Sequence, residues 1–307
     1  MNVALSGASG LIGSALVRSL EADGSRCHRL VRGRPSGSAE LEWRPENGLA
    51  ASEAASGLDV LVHLAGENVA AGRWTAERRS RISASRGPAT RRLVESLRRL
   101  ERPPRVFVCA SAVGYYGDRG NELLEEDSTS GAGFLASVCR EWEAAARTAG
   151  AVCERVAILR FGVVLSTRGG ALARMLPPFR LGLGGRLGSG RQYFPWIHID
   201  DAVAAIRHVM ERDIRGPVNL VAPEPVTNSH LTRAITGTLR RPALLPVPSP
   251  ALRLAFGEMA RETLLASARV VPKVLQETGF SYRCPTLGAA LDRELSPDAR
   301  RIREAKR

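Results

Sequence analysis

Thirteen residues at the start of this chain, MNVALSGASGLIG, limit what it can fold into: an apolar run, Val3-Ala4-Leu5, meets three glycines, Gly7, Gly10 and Gly13. Read locally, that is a strand, a tight turn and the start of a helix. Gly7 permits the turn, Gly10 lets backbone approach a pyrophosphate, and Gly13 lets the helix pack closely on its strand. With Ser9, Leu11 and Ile12 they form the expected phosphate cradle, toward which the free N–H groups of the new helix point.

The next elements extend the pattern. Leu11 to Leu20 has amphipathic helical spacing, and Arg26 to Val31 (RCHRLV) reads as a second strand that runs into Arg32 and Arg34, about twenty residues past the turn. An acidic residue there would accept a hydrogen bond from a ribose 2′-hydroxyl, whereas arginine suits a 2′-phosphate. The expected cofactor is therefore NADP(H), with Arg32 as its contact.

With 307 residues, 44% of them hydrophobic, the chain can bury a full core as one large domain or a domain with a small lobe. We expect residues 1–165 to hold the cofactor, with later returns to the sheet around 193–222, and 166–307 to form a substrate lobe with a helical C-terminal segment. No apolar run approaches the roughly 20 residues that span a bilayer, and no basic leader precedes the first strand, so the expected location is cytoplasmic and no membrane partner is expected. Cys27, Cys109, Cys139, Cys153 and Cys284 lack C-x-x-C spacing and the histidines are scattered, which predicts reduced thiols and no metal. The net charge of +13 is almost all arginine, spread along the chain without a nucleic-acid-binding module, so no nucleic-acid partner is expected.

Gly33 to Leu49 reads as a Gly/Pro/Ser-rich connection containing Trp43, followed by a short Ala-rich helix to Ala55 and a buried strand, Asp59 to Ala65. The carboxyl end of that strand, Leu64, Ala65 and Gly66, is expected against the adenosine half of the cofactor, and His63 is a core residue. Thr75 to Leu100 reads as an arginine-rich helix, and Pro88 inside it predicts either a kink or a helix that begins near Gly87. Arg86 is a candidate cofactor contact.

The strand Arg105 to Ala110 delivers SAVGYYGD, a loop whose Ser111, Tyr115 and Tyr116 are candidates to polarise a carbonyl or relay a proton. A solvated acidic loop (121–133), a helix (134–149) and a strand (153–161) follow, and Gly162 and Val163 are expected beside the nicotinamide. This alternation predicts an α/β fold of the Rossmann type, a doubly wound parallel sheet.

Beyond Leu172 the rhythm loosens. The glycine-rich run around Arg186 and Arg191 reads as a flexible loop for an anionic, partly apolar substrate, with His198 approaching from the same lobe. Asp200 or Asp201 is expected to cap a helix to Met210, and 297–307 to be a frayed polar tail.

SGASGLIG, HLAG, SAVGYYGD and FPWIHIDDAV together resemble the extended short-chain dehydrogenase/reductases. More narrowly, LAGENV, FLASVCREWEAAA, LRFGVVLS and VVPKVLQETGF are similar to the group called epimerase family proteins, and the resemblance runs nearly end to end. It implies NADP(H) held by the glycine turn, Arg32, Leu64, Ala65, Arg86, Gly162 and Val163. It also allows a homodimer through the helices at 75–100 and 134–149.

One departure stands out. Where most of the superfamily carries Tyr-x-x-x-Lys, this chain has Leu135 and Cys139 in one register and Phe134 and Val138 in the other. Two functions stay open. One is an NADP(H)-dependent oxidoreductase or epimerase acting on a carbonyl or secondary alcohol of a small molecule, nucleotide sugars among the candidates. The other is a non-catalytic NADP(H)-binding protein in regulation, division or the cell envelope.

Overall fold

The computed structural model describes residues 1–242 and 245–295. The tail expected at 297–307 lies outside them.

One sheet of eight strands organises the chain: β1 (Asn2–Ser6), β2 (Arg26–Val31), β3 (Glu40–Arg44), β4 (Gly48–Leu49), β5 (Val60–His63), β6 (Val106–Ala112), β7 (Arg155–Phe161) and β8 (Gly216–Leu220). Their order across the sheet is β8-β7-β6-β5-β1-β2-β3-β4, with every pair parallel except the last. The strands are apolar on both sides because both faces are covered. Successive residues alternate between two cores: Val3, Leu5, Val60, Val62 and Val108 face one, while Ala4, Leu61, Phe107 and Cys109 face the other.

The helices are α1 (Leu11–Ala22), α2 (Ala76–Ala84), α3 (Gly87–Leu97), α4 (Phe134–Arg147), α5 (Gly170–Arg180), α6 (Ile199–Glu211) and α7 (Asn228–Leu239), with shorter ones toward the C-terminus. Apolar residues of α1 and α6 close the first core; those of α3 and α4 close the second. A third core joins Leu172, Phe179, Trp196, Leu231 and Leu291 below the C-terminal elements. Among the described residues, no helix is long and apolar enough to cross a membrane.

Three expectations need correction. The stretch 33–49 is more than a connection, because Leu41 and Trp43 alternate inward and add β3 to the sheet edge. The residues after Leu49 form turns instead of a helix. Of the two arrangements expected around Pro88, the structure shows the helix that begins at Gly87: Pro88 sits in the first turn of α3, where its missing N–H costs nothing. The acidic loop at 121–133 is partly buried: Leu123–Leu124 pairs with Arg269–Val270, and the buried Glu126 carboxylate accepts from the N–H groups of Asn219 and Val274. Burial pushes that carboxyl's pKa up.

Candidate functional site

At the carboxyl end of β1, where neighbouring connections leave in opposite directions, the chain opens a cleft of about 900 Å³. Gly7 has φ +71°, and a Cβ there would stand 3.0 Å from the backbone of Leu64 and Ala65. A Cβ on Gly13 would lie 2.2 Å from the Gly7 carbonyl oxygen. The turn can be this tight only without side chains. Gly10 is the N-cap of α1, no side chain caps that helix, and its first turn holds no acidic residue. Its first N–H groups are therefore left to a ligand anion, favoured by the helix dipole.

Ser6 ties the floor together. Its Oγ accepts from the N–H groups of Leu64 (3.1 Å) and Ala65 (3.2 Å) and lies 2.6 Å from His63 Nδ1. Burial pushes the His63 imidazole down to about 4 from 6.5. The unfolded chain thus takes up a proton that the folded chain refuses, and stability present above pH ~6.5 is lost as the pH falls toward 4, by about 3 kcal/mol. Urea denaturation at neutral and acid pH is expected to show wild type losing more on acidification than His63→Asn.

Gly7, Ser9, Gly10, Leu64, Ala65 and Gly66 line the cleft, and so do Trp43, Glu40 and the exposed Arg32. Leu11 and Ile12 pack on the first core, and Gly13 lies behind the turn. Arg86 donates to the carbonyls of Ile82 (3.0 Å) and Glu67 (2.9 Å), stacks over Trp142, and passes close to Gly66. Gly162 is pressed between Pro195 and Val221, and Val163 pairs with Trp196. Trp43 was hidden in a segment that reads as a loop; its alternation with Leu41 was the available clue.

At the end of β6 lies a buried polar network. Ser111 donates to Glu143 Oε1 at 2.9 Å, and Arg160 grips the same carboxylate with Nε at 2.8 Å and Nη2 at 2.9 Å. Burial opposes the Arg160 charge, yet the Glu143 carboxylate keeps its pKa raised. Tyr115 stacks on this guanidinium at 3.6 Å and is half-buried.

Tyr116 differs from its neighbour. It is fully buried; its hydroxyl accepts from Arg160 at 2.9 Å and lies 2.7 Å from Asn219 Oδ1, and burial pushes it up to about 12. Of the two tyrosines only Tyr115 keeps an unengaged phenol at the surface of the loop. Glu143 and Asn219 had no local sequence signal, because their partners are distant in the chain.

The three residues expected at the substrate are placed otherwise. His198 is 1% exposed and caps α6: its Nδ1 accepts from the Asp200 N–H, in place of the aspartate cap that was expected. The opposite nitrogen faces Glu294 at 3.3 Å, and the Cys284 thiol and the Asp201 carboxylate lie close by. The Arg186/Arg191 run is packed, not flexible: a Cβ on Gly185 would lie 1.9 Å from the Leu245 carbonyl, and one on Gly190 2.1 Å from Ser229 Oγ. Both arginines are exposed and lie outside the cleft.

Glu262 accepts from the N–H groups of Phe134 (3.0 Å) and Leu135 (2.8 Å), capping α4 from a different part of the chain.

Residues 3–221 match the model of the NAD dependent epimerase/dehydratase family, and residues 247–294 match a domain of unknown function, DUF1731. An epimerase family protein of Mycobacterium tuberculosis is 43% identical over 290 residues, covering 94% of this chain and 96% of that protein. The human epimerase family protein SDR39U1 is 38% identical over 295 residues, covering 95% of this chain and 98% of its own length. A crystal structure of that human protein with NADPH superposes with a TM-score of 0.88 at 35% identity, covering 97% of this chain and all of the other. MoeE5 in complex with UDP-glucuronic acid and NAD shares the fold, with a TM-score of 0.76 at 22% identity over 99% of this chain and 100% of that one.

Proposed function

The chain belongs to the NAD dependent epimerase/dehydratase family, and from that premise we propose that it is an NADP(H)-dependent oxidoreductase or epimerase acting on a carbonyl or secondary alcohol of a small molecule. The observation that carries this reading is the uncapped glycine cradle in a cleft that Arg32 also lines. The NADPH in the structure of the human relative supports it.

In this reading the turn from Gly7 to Gly13 takes the pyrophosphate, Arg32 the 2′-phosphate, and Leu64, Ala65 and Gly66 the adenosine side. Arg86, Gly162 and Val163 frame the nicotinamide side. We assign 1–165 to the cofactor and 166–307 to the substrate. When bound, NADP(H) supplies hydride exchange with the substrate carbon. Tyr115 supplies the proton, and Arg160 holds its ring. Ser111, its own proton committed to Glu143, offers the substrate an acceptor.

The Arg32→Glu variant is expected to lose about ten-fold or more in NADPH affinity, with NADH binding unchanged or improved. Fluorescence titration of both cofactors measures it; equal losses for both would contradict the Arg32 assignment. The activity itself is tested by following NADPH oxidation against a panel of aldehydes, ketones and keto nucleotide sugars, with Tyr115→Phe alongside.

A second reading rests on one observation. The dyad positions on α4 hold Leu135 and Cys139 in one register and Phe134 and Val138 in the other, and burial pushes the Cys139 thiol up to about 11. NADPH binding without turnover of any substrate would favour a non-catalytic NADP(H)-binding protein.

A further inference from the structure

A second cleft, of about 670 Å³, lies on the other flank of α1, between that helix, α6 and the segment around Phe280. Helix α1 is the wall common to both clefts: Ser14 and Val17 line the first, Ala15 and Ser19 the second, and Arg18 lines both. Arg18, Arg168, Arg207 and Arg283 all face the second cleft.

Each of its acidic side chains has an arginine partner, and two of them share one. Asp23 and Glu211 pair with Arg207, and Asp200 pairs with Arg293 at 2.7 Å. Among the described residues, no side-chain hydrogen bond or ion pair engages the guanidinium groups of Arg18, Arg168 and Arg283. Three guanidinium groups without a side-chain partner therefore line one concavity, beside an apolar wall of Val203 and Phe280. A guanidinium fork matches phosphate oxygens, and charges collected in a cleft raise the local concentration of an oppositely charged ligand.

We propose that this cleft is a second ligand site, for a small phosphate-bearing anion with two or more negative charges. The inference stands whether or not the first cleft takes NADP(H).

The probe is inorganic pyrophosphate, titrated calorimetrically into the full-length protein at fixed ionic strength with NADPH in excess to fill the first cleft. One saturable site is expected, weakened about ten-fold or more in Arg168→Glu/Arg283→Glu and in Arg168→Gln/Arg283→Gln. Both side chains are exposed, and melting curves confirm that the variants fold. Arg98→Glu/Arg99→Glu is the reference; it removes the same charge outside both clefts and is expected to bind within about two-fold of wild type. Absence of saturable binding, unchanged affinity in the cleft variants, or an equal loss in the reference variant would overturn the proposal.

Discussion

A single methyl group at position 13 is expected to remove about two orders of magnitude of NADPH affinity, or about 2.7 kcal/mol. In Gly13→Ala the new Cβ would stand 2.2 Å from the Gly7 oxygen, 2.8 Å from the Gly7 carbonyl carbon and 2.9 Å from the Ala8 Cα. All three are backbone atoms of the turn, so no side-chain rotation relieves the contact. Either α1 moves away from β1 or the turn opens. In both cases the N–H groups that face the pyrophosphate lose their geometry. Helix propensity acts the other way, since alanine is about 1 kcal/mol better than glycine inside a helix. The steric term dominates because overpacking against rigid backbone costs about 1–3 kcal/mol even where side chains share the strain. Melting curves and NADPH titration of the same preparation separate the two effects: affinity is expected to fall far more than stability.

Removing Glu143 is expected to have the largest effect on the fold. The Glu143 side chain is fully buried and Arg160 is 1% exposed, so Glu143→Ala leaves a guanidinium inside the protein without its countercharge and frees the Ser111 hydroxyl. Breaking one partner out of a buried pair costs about 3–5 kcal/mol. Glu143→Gln keeps the shape and an acceptor for Arg160, and it is expected to lose less. Urea denaturation checks both, and equal stability of Glu143→Ala and wild type would show that water reaches Arg160. The pair also holds the loop: Arg160 lies under Tyr115 and donates to Tyr116, so the alanine variant is expected to displace both rings.

The glycine turn, β1, β2 and α1 were legible because their determinants are local: apolar runs with two covered faces, glycines where backbone must approach backbone, and an arginine where β2 ends. The same reasoning identified the segment where Gly87 and Pro88 begin α3. It failed at β3, where charged residues between Leu41 and Trp43 belong to a sheet edge and glycine, proline and serine around them suggest a loop. It failed more deeply at the reactive end. Glu143 looks like one more polar position on an amphipathic helix, and only the fold brings it to Ser111 and Arg160. The two tyrosines are neighbours in sequence, yet one ends with a buried, bonded hydroxyl and the other on the loop surface. That difference comes from Asn219, far along the chain, whose strand is the last to join the sheet. His198 was misread for the opposite reason: an imidazole at a strand end is a helix cap here, and its burial removes it from any substrate.

The central claim is that the cleft at the end of β1 is built for a dinucleotide with a 2′-phosphate. Titrating the purified protein with NADPH and, separately, NADH, read by nicotinamide fluorescence, tests it most directly. Saturable binding of NADPH, about ten-fold or more tighter than NADH, is the predicted result. Equal affinity for the two, a preference for NADH, or no binding of either would contradict it.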